Sequence, residues 1–164
     1  MTTKLKEIAS LISSVELSDI RLVESSVKTE IRSPKDAGDV DITFGASAKV
    51  PNSPAGGMFY VLATVEMNIT PKQTKNSVVS IRASYELKYH LPEKLKANSK
   101  DLNQFAQVNG IFNAWPFFRE FIQSSFERMH LPPMTLPVYR LRNPPFVSSS
   151  ALAVTKKSPI SKKK

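Results

Sequence analysis

Residues that could catalyse a reaction or bind a metal ion are few in this sequence and stand apart from one another. The only histidines are His90, on the polar side of an alternating segment, and His130, which follows a helical segment. Arg119 and Glu120 are adjacent, and adjacent residues point to different sides of a helix. The five glycines form no phosphate-binding loop, and the absence of cysteine excludes thiol chemistry and thiolate metal sites. The sequence therefore predicts no catalytic residue, no metal site and no cofactor, and the protein is not expected to be an enzyme.

The most distinctive group of residues is aromatic. The stretch NGIFNAWPFFREFIQSSFERMHLPPMTLP, residues 109–137, contains one tryptophan, five phenylalanines and a proline-bearing loop. Aromatic side chains of this kind supply large contact areas to apolar partners. Methionine and leucine in an irregular loop held extended by prolines offer adaptable apolar contacts. This stretch is the candidate binding site, although a helix face rich in aromatic residues is also typical of protein core.

The segments that must position this stretch are strands with a two-residue period. Apolar and polar residues alternate over residues 39–50, 58–70 and 77–91. Short turn-forming breaks separate the strands, which predicts that consecutive strands are antiparallel neighbours. A less regular segment, residues 20–32, predicts a strand with a bulge near residues 24–26, as is typical of a sheet edge.

Three predicted helices complete the fold. Residues 3–16 carry apolar residues at helical spacing. Asn98 or Ser99 can cap a helix over residues 99–109, which Asn109 and Gly110 are expected to end. Because proline is tolerated in the first turn of a helix, Pro116 predicts a new helix over residues 115–129. The prediction is one α+β domain over residues 1–155, a four-stranded antiparallel sheet with an N-terminal helix and a long C-terminal helix packed on it.

The formal net charge of +9 is concentrated at the C-terminus. The last nine residues, KKSPISKKK, hold five lysines, and the remainder has 18 basic and 14 acidic residues. Residues 156–164 are therefore predicted to be a basic disordered tail, with a nucleic-acid or acidic-partner contact as the alternative. No apolar run is long enough for a transmembrane helix, so no membrane insertion is expected. The lack of cysteine favours a cytoplasmic protein.

The stretch at residues 109–137 resembles the signature of SecB, the protein-export chaperone family, and of its divergent SecB-like relatives. The shared features are an aromatic residue before Pro116, the PFFRE helix start, Arg128 near the helix end and the loop that ends at Pro137. The resemblance implies a homotetramer built as a dimer of dimers. It also implies an ATP-independent holdase that binds unfolded or precursor polypeptides in apolar grooves. Such a holdase serves either export through the ATPase SecA or a dedicated client such as an antitoxin.

The candidate residues divide into a groove and an interface. A client-binding groove is predicted from six residues, namely Trp115, Phe117, Phe118, Leu131, Met134 and Leu136. The aromatic residues are spread more widely around the helix than one sheet contact requires, so the surplus is expected to face another subunit. Phe121, Ile122 and Phe126 are predicted at this interface, in a dimer or tetramer. Burial of Trp115 in the core is the alternative to its role in the groove.

Some features depart from the SecB pattern. SecB proteins are typically acidic, whereas charges on the solvent faces of these strands are mixed, and residues 138–164 show no second C-terminal helix. Docking to SecA is therefore less well supported than holdase activity. A nucleic-acid- or ribosome-associated protein and a structural oligomerisation domain are the competing functions. Few basic residues stand near the strand tyrosines in the sequence, and this disfavours nucleic-acid binding.

Overall fold

A computed structural model describes residues 3–36, 38–95, 97–139 and 152–154. The strands are β1 Glu16–Thr29, β2 Val40–Lys49, β3 Met58–Pro71, β4 Val79–His90 and β5 Leu152–Val154. The α-helices are α1 Thr3–Ser14, α2 Ser99–Phe105 and α3 Ile111–Arg128, with a π-helical segment Ala106–Gly110 between the last two and a 3₁₀ turn Pro34–Asp36 after β1. This is the predicted α+β arrangement, and its four predicted strands gain a short fifth one, β5. The predicted basic tail, residues 156–164, lies outside the described residues.

The sheet is antiparallel, in the order β1-β4-β3-β2-β5. The prediction that consecutive strands are neighbours is confirmed for β2–β3 and β3–β4, and it is wrong for β1, which pairs with β4. Residues 30–39 pass around the end of the β3–β4 hairpin: the Glu30 N–H donates to the Val78 carbonyl at 2.8 Å, and the Lys72 N–H donates to the Asp39 carbonyl at 2.9 Å. This connection carries the chain across two strands, so β1 lies at the sheet edge that its irregular pattern predicted.

The predicted alternation gives the core face of the sheet. The buried residues of β3 are Phe59, Val61, Ala63, Val65, Met67 and Ile69, and those of β4 on the same face are Val79, Ile81, Ala83, Tyr85, Leu87 and Tyr89. The bulge predicted near residues 24–26 lies between Leu22 and Glu24, and a second one lies between Leu17 and Asp19. Strand β1 begins four residues before its predicted start, and the other three long strands lie within two residues of their predicted bounds.

Helices α2 and α3 form one continuous helical segment, whereas two separate helices were predicted. Gly110 does not end a helix: a Cβ at this position would lie 2.6 Å from Val61 Cγ1, so glycine is needed for close approach to the sheet. The π-helical segment contains this contact. Pro116 lies inside α3 on its exposed side, where a carbonyl that loses its donor can bond to water.

The start of α2 and the packing of α1 can be compared with the predictions from the sequence. Asn98 is the cap of α2, because its Oδ1 accepts the N–H groups of Lys100 at 2.9 Å and Asp101 at 3.0 Å. In the part of α1 whose side chains are described, residues 9–14, Leu11 is buried and Ile12 is exposed. Helix α1 packs against α2 at the end of the molecule away from the aromatic part of α3.

Candidate functional site

Trp115 is a core residue on the β2 side of α3. Its indole is 3% exposed, lies edge-on to Phe44 of β2 with ring centroids 5.8 Å apart, and contacts Tyr139 at 5.0 Å. The indole N–H donates to the Pro137 carbonyl at 2.8 Å. Of the two alternatives that the sequence left open for Trp115, the described chain has the buried one.

The loop at residues 131–139 is held against α3. Arg119 Nε donates to the Leu136 carbonyl at 2.9 Å, and Leu131 and Leu136 are buried. The loop begins at His130, whose φ of 55° reverses the chain so that the Leu131 N–H returns to the Phe126 carbonyl at 3.0 Å. The proline-bearing loop therefore covers the helix, and only Met134 of the three predicted groove residues in it is half-exposed.

Phe117 and Phe118 both contact β4, and Phe117 lies on the side of α3 opposite Trp115. Their rings contact the Tyr85 ring with centroids 5.7 Å and 5.4 Å apart, and the Tyr85 hydroxyl donates to the Phe117 carbonyl at 3.4 Å. Positions 115 and 117 are about 200° apart around a helix. The structure therefore joins Trp115 with the loop and Phe118 with Tyr85, but it does not bring Phe117 and the loop together as the two walls of one groove.

The residues predicted at an oligomer interface are mostly covered by their own chain. Ile122 is fully buried and Phe126 is 4% exposed, whereas Phe121 is half-buried. The aromatic residues of α3 do extend beyond one sheet contact, and the loop at residues 131–139 covers the Trp115 side within the same chain. Only Phe121 of these three has surface to offer a second subunit.

A different apolar surface is open on the helix face of the sheet, at its β1 edge. The strand register places Leu22 opposite Tyr85 and Val27 opposite Ile81, so both lie on the helix face of the sheet. Among the described residues no element covers them as α3 covers β3 and β4: Leu22 is 45% exposed and Val27 is 41% exposed. Phe117, 40% exposed, reaches Tyr85 from the helix side. We call this surface the β1 trough, made of Ile20, Leu22, Val27, Tyr85 and Phe117.

The sequence indicated only part of the β1 trough. Phe117 was a predicted groove residue, and the edge position of the strand was predicted from its irregular pattern. Simple alternation along β1 would put Leu22 on the face opposite Val27, because positions 22 and 27 are an odd number of residues apart. The bulge between Leu22 and Glu24 places both on one face.

A second exposed apolar group lies over α3 near the start of the helix. Phe112 is 40% exposed and contacts the Tyr139 ring at 6.1 Å; Val108 and Val138 are exposed as well. We call Val108, Phe112 and Val138 the distal patch. It lies near the Trp115 side of α3, away from the β1 trough.

The outer face of the sheet is polar and carries three ion pairs among the described residues. Arg82 forms ion pairs with Glu66 and, at 3.6 Å, with Glu24, and Arg21 Nη2 lies 2.7 Å from Glu86 Oε1. Among the described residues no group of three potential metal ligands occurs, and no buried side-chain polar atom lacks a hydrogen-bond partner. Burial raises the pKa of Tyr89 to about 12 against the hydrogen bond from Asn113, and burial also raises the pKa of Tyr85. These tyrosines lie in the core, where they support packing.

No protein-family model and no curated protein matches this sequence. Among solved structures, the chain is similar to the Mycobacterium tuberculosis Rv1957 SecB-like chaperone, solved in complex with a ChAD peptide from the Rv1956 HigA1 antitoxin. The two chains superpose with a TM-score of 0.72 over 82% of this chain and 97% of the other, at 23% sequence identity. The fold is SecB-like. A Streptococcus agalactiae protein of unknown function is also similar, with a TM-score of 0.45 and 12% identity over 75% of this chain and 96% of that one.

The SecB-like fold accounts for the order of the strands and the long helix in this chain. The antiparallel sheet with a long C-terminal helix is the part of the resemblance that is confirmed. Within the described residues, no helix is both long and apolar enough to cross a membrane.

Proposed function

We propose that this chain is an ATP-independent chaperone that holds unfolded polypeptide segments on exposed apolar surface. The observation that carries the proposal is the β1 trough, where Leu22, Val27 and Phe117 stay about two-fifths exposed beside a buried tyrosine. Folded proteins rarely leave such side chains together without a partner. The Tyr85 hydroxyl in this trough is already bonded to the Phe117 carbonyl, so an apolar client segment has no directional contact to satisfy and many sequences can bind.

A dedicated client, such as an antitoxin, is the form of this function that has the most support. The similar SecB-like chaperone of known structure is bound to an antitoxin peptide. Delivery of export precursors to SecA is less well supported, because the outer sheet face carries arginine and glutamate in internal pairs instead of an acidic surface. We therefore assign polypeptide binding to the helix face of the sheet and leave the outer face without a docking role.

We further propose that the protein is a homo-oligomer in which β1 pairs with β1 of a second copy. Strand β1 is 14 residues long, contains no proline, and ends the sheet without a neighbouring strand on its outer side among the described residues. Edges of this length and kind template pairing with another chain. A symmetric antiparallel pair would join the two β1 troughs into one longer apolar surface.

The faces of β1 restrict how two copies can pair. Residues directly opposite each other across an antiparallel pair must share a face. Asp19 and Lys28 share the outer face, because their partners in β4 are Lys88 and Ser80, while Ile20 and Val27 share the helix face. A two-fold register that sets Asp19 against Lys28 of the second copy also sets Ile20 against Val27 of that copy. In this register, opposite charges meet on the outer face and apolar side chains meet on the helix face.

Aggregation of an unfolded client tests the proposed function. A chemically denatured client protein is diluted into buffer with and without this chain, and light scattering is followed without nucleotide. We expect scattering to be suppressed at near-equimolar chain and to be unchanged by added ATP. The basic-tail alternative is tested in the same assay with a chain lacking residues 156–164, which we expect to suppress scattering equally.

Two results would count against this function. Scattering that is unchanged by an excess of folded chain would remove the holdase proposal. Suppression that disappears with the tail and falls steeply with salt concentration would instead favour the electrostatic, nucleic-acid-type alternative.

A further inference from the structure

The free side of β2 is occupied differently at its two ends. At one end the C-terminal strand β5 pairs with it in antiparallel register, with Ile42 opposite Val154, Thr43 opposite Ala153 and Phe44 opposite Leu152. This short strand is the only contact of the described C-terminal segment with the sheet, and it comes from a part of the chain far from β2 in sequence.

At the other end, side-chain amides close the β2 edge. Asn103 Oδ1 accepts the Val50 N–H at 3.0 Å, and Gln107 Nε2 donates to the Ala48 carbonyl. Both side chains belong to the helical segment that the π-helical turns hold against the sheet. Addition of a strand to β2 is therefore confined to residues 40–47, and β5 uses only three of these positions.

The pairing of β5 with β2 is main-chain pairing, and it does not require the sequence of β5. Hydrogen bonds from an added strand come from backbone groups, so any extended segment without proline can make them. Three paired residues are few for a strand, since isolated short pairings are marginal in water. A client segment that pairs with more of residues 40–47 can therefore displace β5.

We infer that the C-terminal segment is an intramolecular competitor for client. Strand β5 occupies the part of the β2 edge on which an extended apolar segment of a client polypeptide pairs, and binding there requires its displacement. This inference rests on the proposed function and adds to it a second contact, about 14 Å across three strand spacings from the β1 trough. The C-terminal segment thereby lowers the affinity of the chain for weakly binding clients, and strongly binding clients displace it.

A reversible cross-link tests the inference in a single molecule. The natural chain has no cysteine, so the double variant Thr43→Cys/Ala153→Cys contains one possible disulfide. Directly opposite residues in an antiparallel pair lie within the Cα separation that a disulfide needs. The probe is a fluorescein-labelled peptide with the sequence of residues 148–157, SSSALAVTKK, and its binding is followed by fluorescence anisotropy. If β5 is displaced in only a tenth of molecules at equilibrium, locking it open or closed changes apparent affinity by about tenfold or more.

The expected result is weak peptide binding by the oxidised double variant and recovery on reduction. Each single-cysteine variant serves as a control and should not respond to reductant. A peptide carrying proline at the position of Ala153 should not bind, because proline removes a backbone donor. A chain that ends at residue 150 should bind the unmodified peptide more tightly than the full chain does.

Three results would overturn the inference. They are equal affinity of the oxidised and reduced forms, undiminished binding of the proline peptide, and a change of molecular mass on truncation at residue 150. The last result would assign β5 to a second copy of the chain. Suppression of client aggregation by the reduced variant separates the two proposals: if suppression persists while peptide affinities are equal, only the competitor role fails, and if suppression is absent, the holdase role fails.

Discussion

Gly110 of the π-helical segment lies against Val61 of β3 so closely that a Cβ at position 110 would be 2.6 Å from Val61 Cγ1. Val61 is fully buried in the middle of the sheet, with no space to withdraw. At this point the backbone of the helical segment itself, without an intervening side chain, contacts the Val61 side chain of the sheet. This contact fixes the height of the continuous helix above the sheet, and with it the positions of Gln107 at the β2 edge and of Phe117 beside Tyr85.

Replacement of Gly110 by alanine should destabilise the fold. A methyl group inserted against a buried valine forces neighbours apart, and overpacking of this kind costs about 1–3 kcal/mol. The matched control is Gly45→Ala, because a Cβ at position 45 meets nothing within 4 Å. Urea denaturation followed by Trp115 fluorescence measures both. Equal midpoints for the two variants would show that the helix can shift away from β3.

Leu136 and Met134 should differ in their effect on stability. Leu136 is buried under the loop that covers Trp115, so Leu136→Ser should cost about 2–5 kcal/mol, as other truncations of buried leucine do. Met134 is half-buried, and Met134→Ser should cost less than half as much. Thermal melting by circular dichroism compares the two. If Leu136→Ser melts with the natural chain and loses client suppression, Leu136 contacts clients and the loop is open in solution.

Phe117 should contribute to client binding and Phe112 should not. Both side chains are 40% exposed on α3, but only Phe117 lies in the β1 trough. Loss of its contact should weaken client suppression about tenfold, the effect of roughly 1.4 kcal/mol in binding free energy. Phe117→Ser and Phe112→Ser are compared in the light-scattering assay after their melting curves are matched. A larger loss with Phe112→Ser would move the client site to the distal patch.

Charge reversal at β1 should break the assembly and a second reversal should restore it. Asp19→Lys would set like charges against Lys28 of a second copy, which is destabilising for directly opposite residues. The double variant Asp19→Lys/Lys28→Asp restores opposite charges, and Glu93→Lys in an exposed connection controls for the change of net charge. Sedimentation velocity at low salt measures molecular mass. A double variant that stays dissociated, or a single variant that stays assembled, would exclude this register.

Stability should fall at high pH because of Tyr89. Burial raises the pKa of Tyr89 to about 12 in the folded chain, above its ordinary value of 10.0. Below the unfolded pKa both states are protonated and the contribution to stability is fully present. As pH rises from about 10 to about 12, only the unfolded state loses the proton, so the free energy of unfolding falls by about 2–3 kcal/mol.

Tyr89→Phe separates this effect from other high-pH losses. The variant should lose most of the decrease between these pH values, leaving the smaller part from Tyr85 and Tyr139, whose pKa values burial also raises. Urea midpoints at pH 9 and above measure the difference. An unchanged pH dependence in the variant would place the titration elsewhere.

Local pattern was sufficient for most secondary structure in this protein. The alternation in the segments that became β2, β3 and β4 predicted their bounds and their buried faces, because a two-residue period allows only one face to be apolar. The capping role of Asn98 and the bulge in β1 were also readable, since both depend on a few adjacent residues. The signature around Pro116 predicted the SecB-like fold, which the structural comparison confirms.

Predictions failed where one residue pattern is compatible with two different structural roles. Gly110 looked like a helix end, and its true reason is a contact with Val61, a residue 49 positions away in sequence. The proline-bearing loop looked like an open binding wall, yet hydrogen bonds from Trp115 and Arg119 hold it down on the helix. Ile122 and Phe126 were predicted at an oligomer interface; within one chain both are buried, and the interface itself stays a prediction.

The sequence by itself determined that this protein has a two-layer α+β fold and concentrates aromatic side chains on one helix. Hydrophobic periodicity, helix capping and composition depend on a few neighbouring residues, so these signals can be read from the sequence without knowledge of the fold. Tertiary structure alone decided which aromatic residues remain accessible, since exposure depends on how far each layer extends. Strand β1 lies one strand beyond the cover of α3, and for that reason Leu22, Val27 and Phe117 form an open apolar surface while Trp115 does not.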